Sequence, residues 1–187
     1  MNTFLLKTRR LWGKGREISI IDPSKVDEFF TWVETAKAPL EFKALVGLLF
    51  SSGGRISEVL KLTPDDISQH GEFTLNVSKK KRKGIIRPCK LHPIAHKLIE
   101  ELISQPQIIN SHQRIFTFTR HTALKRIKKY FGENFCTHSL RHSFISWLIF
   151  TQNMEPIFVA KLMNLELDVV EKYAHINVAK QINKLWG

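Results

Sequence analysis

The stretch from Thr137 to Tyr173 restricts what this chain can become more than any other part of it. It opens Thr137-His138-Ser139-Leu140-Arg141-His142-Ser143-Phe144 and runs to Val170-Glu171-Lys172-Tyr173-Ala174-His175. Leu140, Phe144, Trp147 and Leu148 recur at helical spacing and predict a helix fixed to a core by one apolar stripe. His138 and Arg141, three apart, share another face. Thr137 or Ser139 is placed to cap the start, where unpaired N–H groups and the helix dipole favour an anion. An imidazole, a guanidinium and a helix start on one side describe a phosphate site. On its own the pattern is weak, because a His and an Arg at this spacing are ordinary on a helix surface.

An upstream segment changes the balance: Ser52-Gly53-Gly54-Arg55-Ile56-Ser57-Glu58-Val59-Leu60. The glycines end a Leu- and Phe-rich helix predicted from about Leu40 to Ser51, and a short helix follows from Ile56 to Leu62. Arg55 sits at the junction, where glycine allows close approach to a ligand. Glu58, three residues on, is placed to brace an arginine. Glu72 to Ser78 alternates as a strand with Phe73, Leu75 and Val77 on one face. Ile85 to Leu91 returns, so residues 79–84 form a very basic hairpin tip.

Elsewhere, residues 1–20 read as a basic arm or short strand. Asp22-Pro23 opens a helix with Val26, Phe29, Phe30 and Val33 inward. Pro93 to Ser104 is amphipathic. His92 and His96 have a spacing compatible with metal, but no third ligand is evident, and they read as surface histidines. Arg120 to Phe131 is a basic helix with Leu124, Ile127 and Phe131 inward and Lys125, Arg126, Lys128 and Lys129 outward. Asn153 ends the motif helix, Glu155 to Met163 forms the next, and residues 177–186 carry Val178, Ile182, Leu185 and Trp186 on one side.

In this order and spacing, Gly53-Gly54-Arg55-Ile56-Ser57-Glu58, His138-x-x-Arg141 and Tyr173-Ala174-His175 resemble the tyrosine recombinase (phage integrase) family, over about residues 24 to 176. One position departs: where the family has Leu-Gly-His or Trp, this chain has Leu162-Met163-Asn164. The resemblance implies an α+β, mainly helical catalytic domain with a small antiparallel hairpin or sheet. It places that domain at residues 21–187 behind an arm or linker at 1–20, with no amino-terminal core-binding domain in this chain. The implied activity is site-specific DNA cleavage and rejoining through a 3′-phosphotyrosine. Tyr173 would be the nucleophile, with Arg55 and Arg141 on the phosphate and His138 assisting proton removal. Lys79, or alternatively Lys81, would protonate the leaving 5′-oxygen, and Asn164 would stand in the His/Trp position. Two arginines make a metal unnecessary and the covalent bond makes ATP unnecessary, so no cofactor is implied. The other readings are a DNA-binding protein on the same fold with weak or lost catalysis, and a telomere-resolving or topoisomerase-like relative. After the tyrosine, the last helix would fold back in cis or dock on a neighbouring protomer, which implies dimers to tetramers on DNA.

Charge fits a polyanion partner. The 187-residue chain carries a net +12 and a pI near 9.9. Its cations cluster: five Lys or Arg and no acid in residues 1–16, seven in 79–90, five in 120–129. Lys80, Lys81, Arg82, Lys83, Arg120, Lys125 and Arg126 are the candidate DNA-backbone contacts. Cys89 and Cys136, far apart, suggest neither a zinc site nor a disulfide framework and fit a reducing compartment. The implied place is the cytoplasm, at the nucleoid, or a host cell interior for a viral protein; no apolar run is long enough to span a bilayer. Affinity for duplex DNA should therefore fall steeply with salt, on the order of 10³ between low and moderate ionic strength if about six phosphates are contacted. A nearly flat dependence in a binding titration would contradict an electrostatic footprint.

Overall fold

The computed structural model describes residues 2–9, 17–76, 86–106 and 114–173. Its centre is helix α2 (Leu40–Ser52), buried from Ala44 through Phe50 and apolar on every side, as an interior helix must be. Helices α1 (Val26–Thr35) and α4 (Pro93–Ile103) pack on it, as does α6 (Thr137–Phe150). Between them lie α3 (Ile56–Val59) and α5 (Arg120–Phe131). The chain continues through α7 (Pro156–Met163) into a helical stretch over residues 167–173.

The core is strongly aromatic. Phe29 and Phe30 have ring centroids 5.2 Å apart, Phe30 meets Phe50 at 5.5 Å, and Phe131 stacks on Phe135 at 4.8 Å. Such pairs contribute about 0.5–1.5 kcal/mol each beyond the area they bury. His92 joins this core: its ring stacks on Phe30 at 3.6 Å and its Nδ1 accepts from the Ile94 amide at the start of α4. It is a helix cap and a packing residue, not the surface histidine the sequence suggested. Its pKa is lowered by burial. His96 is half-buried and faces Glu100 at 3.6 Å.

Two small antiparallel pairs flank the helices. Strands β1 (Leu5–Arg9) and β2 (Glu17–Ile21) pair with Leu5 opposite Ile21. Phe4 and Ile21 are buried, and the Ile21 amide donates to Ser143 Oγ of α6 at 2.8 Å. This part of the basic amino-terminal stretch is therefore built into the folded body. Strands β3 (Glu72–Asn76) and β4 (Ile86–Lys90) form the expected hairpin, with Phe73 and Leu75 inward and Leu75 opposite Arg87. The hairpin tip, with Lys79, Lys80, Lys81, Arg82 and Lys83, lies outside the described residues, as do residues 177–186.

Most helix boundaries follow their sequence signals. Asp22 caps a short 3-10 turn that leads into α1, and Asn153 turns the chain at φ 51° before α7. Two details differ. The inward row of α5 is Ala123, Ile127 and Phe131, with Leu124 half-buried beside it. The N-cap of α6 is Cys136: its amide donates to Ser139 Oγ at 3.0 Å, and Thr137 is already the first helical residue.

Gly53 ends α2 in the left-handed conformation, φ 55°. A Cβ built there would lie 2.5 Å from Phe144 Cδ1 and 2.8 Å from Met163 Cε. The sequence reading assigned this glycine to ligand approach; what approaches is α6 and α7. Gly53→Ala should lose about 1–2 kcal/mol from backbone strain alone, with overpacking adding to it. An unchanged midpoint in chemical denaturation would contradict this close approach.

Candidate active site

Immediately past Gly53 the chain presents Arg55 as the N-cap of α3. The Arg55 amide donates to Glu58 Oε2 at 2.9 Å, and its Nη1 donates to Glu58 Oε1 at 2.8 Å. The predicted brace is thus a charge-assisted pair that also closes the helix start. Glu58 is buried while the Arg55 side chain keeps 18% exposure, so the guanidinium is held at the rim of the site.

Arg141, on α6, is 6% exposed. Its Nη1 donates to the Gly53 carbonyl at 2.6 Å and its Nη2 to the Met163 carbonyl at 3.2 Å. One planar fork thereby joins the C-terminal ends of α2 and α7, where carbonyls lack intrahelical donors. Burial, reinforced by Arg55 and Arg87, pushes its pKa down to about 10, with Glu58 and Tyr173 acting the other way. It stays charged at neutral pH.

Asn164 follows Met163 and closes α7 with φ 49° and ψ 57°. That left-handed turn is a physical reason for asparagine here, since few other side chains tolerate it. Its Nδ2 is buried.

Tyr173 is 3% exposed, and its hydroxyl is hydrogen-bonded to His142 Nδ1. The two rings sit 5.6 Å apart at 38°. Burial pushes the phenol well above its ordinary pKa, and Arg141 partly opposes the shift. His138, on the first turn of α6, is exposed. The structure thus brings Arg55, Arg141 and Tyr173 together, with Asn164 adjoining the Met163 carbonyl that Arg141 grips. His142 is the residue the sequence reading missed. The signal was there: it lies one turn after His138 on the same helix face and directly follows Arg141. Of the candidate DNA-backbone cations outside the hairpin tip, Arg120 and Lys125 are exposed, and Arg126 lies 4.6 Å over the Phe118 ring. Among the described residues, no group of three or more His, Cys, Asp or Glu could hold a metal ion. Nor is any helix among them long and apolar enough to cross a membrane.

A helical body, an arginine fork tying two helix ends and a buried tyrosine on an imidazole define a class, the catalytic-domain fold of tyrosine recombinases. The chain belongs to the phage integrase family, whose model matches residues 19–180. Tyrosine recombinase XerC of Rickettsia rickettsii (strain Sheila Smith) is 30% identical in a 144-residue alignment that covers 70% of this chain and 44% of that protein. The chain therefore spans less than half the length of the curated relatives it matches. The XerH site-specific recombinase, in a post-cleavage complex with palindromic difH substrate, superposes with a TM-score of 0.61 at 20% identity, over 80% of this chain and 47% of that one. The catalytic domain of bacteriophage HP1 integrase superposes at 0.57 and 18% identity, over 84% and 88% of the respective chains.

Because Tyr173 is buried neutral, its raised pKa adds stability that is fully present below the ordinary phenol pKa of about 10 and is lost as pH rises through the folded value. Unfolding stability should decline at alkaline pH, and Tyr173→Phe should flatten that decline. An identical alkaline limb in parent and variant would contradict the burial.

Proposed function

We propose that the chain cuts and rejoins double-stranded DNA at a specific site through a 3′-phosphotyrosine. The observation that carries this reading is Tyr173, whose hydroxyl rests on His142 Nδ1 within the field of Arg141. A phenol with a proton acceptor on one side and a fixed cation on the other is arranged to become a nucleophile. Family membership supports the reading, as do the recombinase and integrase names of its relatives and the DNA in the XerH complex.

In the cleavage step the Tyr173 O–H bond breaks and its proton passes to His142 Nδ1. A bond forms from the phenol oxygen to phosphorus, and the bond from phosphorus to the 5′-oxygen breaks. Lys79 gives that oxygen a proton, with Lys81 the alternative donor. Arg55 and Arg141 hold the non-bridging oxygens. Each guanidinium has five N–H donors, so the bonds to Glu58, Gly53 and Met163 leave donors for phosphate. His138, exposed on the first turn of α6, binds the phosphate rather than the phenol, because His142 already occupies the hydroxyl. Asn164 adds an amide donor to the phosphate site. Lys80, Lys81, Arg82, Lys83, Arg120, Lys125 and Arg126 track the flanking backbone. Rejoining is the reverse, with a 5′-hydroxyl attacking the phosphotyrosine, so neither metal nor ATP enters the scheme. The chain would act at intracellular DNA and self-associate there as dimers to tetramers. Tyr173 must leave its buried position to meet phosphorus, which places a rearrangement before chemistry.

The test is a duplex selected for binding from a random pool, nicked beside the cleaved position so that the released fragment diffuses away. The parent chain should form a denaturant-stable protein–DNA adduct and Tyr173→Phe none, while both bind the duplex alike. His142→Ala should slow adduct formation by about 10²–10⁴, the range of a lost proton acceptor. An adduct that persists in Tyr173→Phe and vanishes in Tyr130→Phe would overturn the assignment.

A further inference from the structure

Among the described residues the buried charged side chains are Glu58, Arg87 and Arg141, with exposures of 5%, 4% and 6%. The roles proposed above use Glu58 and Arg141 and leave Arg87 without a task. Arg87 lies on β4 at an inward position opposite Leu75, where strand alternation calls for an apolar residue. Its Nη1 donates to the Ser52 carbonyl at 2.5 Å and lies 3.3 Å from Met163 Sδ. Its Nη2 is buried and has no hydrogen-bond partner among the described residues. Burying a guanidinium and leaving one of its nitrogens unsatisfied is costly, so the position requires an explanation.

Two features supply one. Arg87 and Arg141 reach the same two places in the fold: Arg87 holds the Ser52 carbonyl and meets the Met163 sulfur, and Arg141 holds the carbonyls of Gly53 and Met163. They form a double tie across the turn that presents Arg55 and the turn that presents Asn164. The local charge is also unbalanced. Arg55 and Arg87 both act on Arg141, Arg55 acts on Arg87, and the carboxylate acting on both Arg87 and Arg141 is Glu58, already paired with Arg55. Three guanidiniums against one carboxylate leave a surplus that an anion would balance. The anion of the proposed reaction is a phosphodiester.

We propose that Arg87 is a third arginine of the phosphate site, a positioning residue that holds Arg141 and the 52–55 turn in register and whose uncompensated charge strengthens the hold on the scissile phosphate. The inference rests on the reaction proposed above, and its test keeps the two apart. Arg87→Met and Arg87→Lys are compared with the parent on the nicked duplex and on the same duplex with a methylphosphonate at the cleaved position, which removes the phosphate charge. On the natural phosphate, Arg87→Met should slow adduct formation about a hundredfold, the size of one preorganised transition-state contact that Arg87 no longer holds in register, with duplex affinity changed little. On the methylphosphonate the ratio of parent to Arg87→Met rates should shrink, and Arg87→Lys should recover part of the rate on phosphate only. Equal deficits on both substrates would reduce Arg87 to a structural brace and overturn the proposal.

A second readout does not depend on catalysis. Inorganic phosphate should raise the thermal midpoint of the parent, and of Arg87→Lys in part, and should leave Arg87→Met nearly unmoved. A parent midpoint indifferent to phosphate would overturn the charge surplus whether or not any adduct forms. A parent that responds to phosphate but forms no adduct would count against the recombinase reading and leave the Arg87 assignment standing.

Discussion

The fork of Arg141 is the interaction on which the site depends. Helices α2 and α7 both end where their last carbonyls have no backbone donor, and both ends point at the same small volume. A single guanidinium on α6 satisfies one carbonyl from each. The left-handed turns at Gly53 and Asn164 make this possible, because each swings the chain away just as its helix stops. The packing of Phe144 and Met163 over Gly53 leaves no room for a side chain, so the helix ends cannot drift apart without opening the core. The cation that would meet DNA phosphate is thus also the rivet of three helices.

That double duty explains why charge is tolerated in an otherwise apolar interior. Buried ions are poor sources of stability unless their hydrogen bonds are met, and here most are met by helix-end carbonyls and by Glu58. The electrostatics run opposite ways at Arg141 and Tyr173. Burial, and after it repulsion from Arg55 and Arg87, lowers the pKa of Arg141, which keeps its charge at neutral pH all the same, whereas burial raises the pKa of the Tyr173 phenol and keeps it neutral. A bound phosphate would relieve the crowding of positive charge around Arg141.

Much of this was legible in the residues. The Gly53-Gly54-Arg55 junction, the Glu58 brace, the strands around the basic hairpin and the stripe of α6 all follow from local spacing and capping chemistry. What escaped were facts of tertiary contact. Strand alternation puts Arg87 on the inward face of β4, but only the fold shows what its guanidinium meets there. His142 reads as a bystander until the fold sets Tyr173 against it. His92 looks like a surface residue because its partner, Phe30, is far away in the chain. Gly53 was correctly marked as special, but for the wrong neighbour: a sequence shows that room is needed and not what fills it. Asn164 reads as a departure from a motif until its positive φ supplies a backbone reason for asparagine.

The concealment of Tyr173 has a bearing on what the chain does when no DNA is present. A phenol that is 3% exposed and held neutral presents almost no nucleophile to passing electrophiles and no accessible hydroxyl to modifying enzymes. Nucleotides and other free phosphates diffusing through the arginine site would meet cations but no attacking oxygen. In that state the phenol is chemically quiet, and the free energy needed to bring it out would act as a safety catch on the proposed reaction.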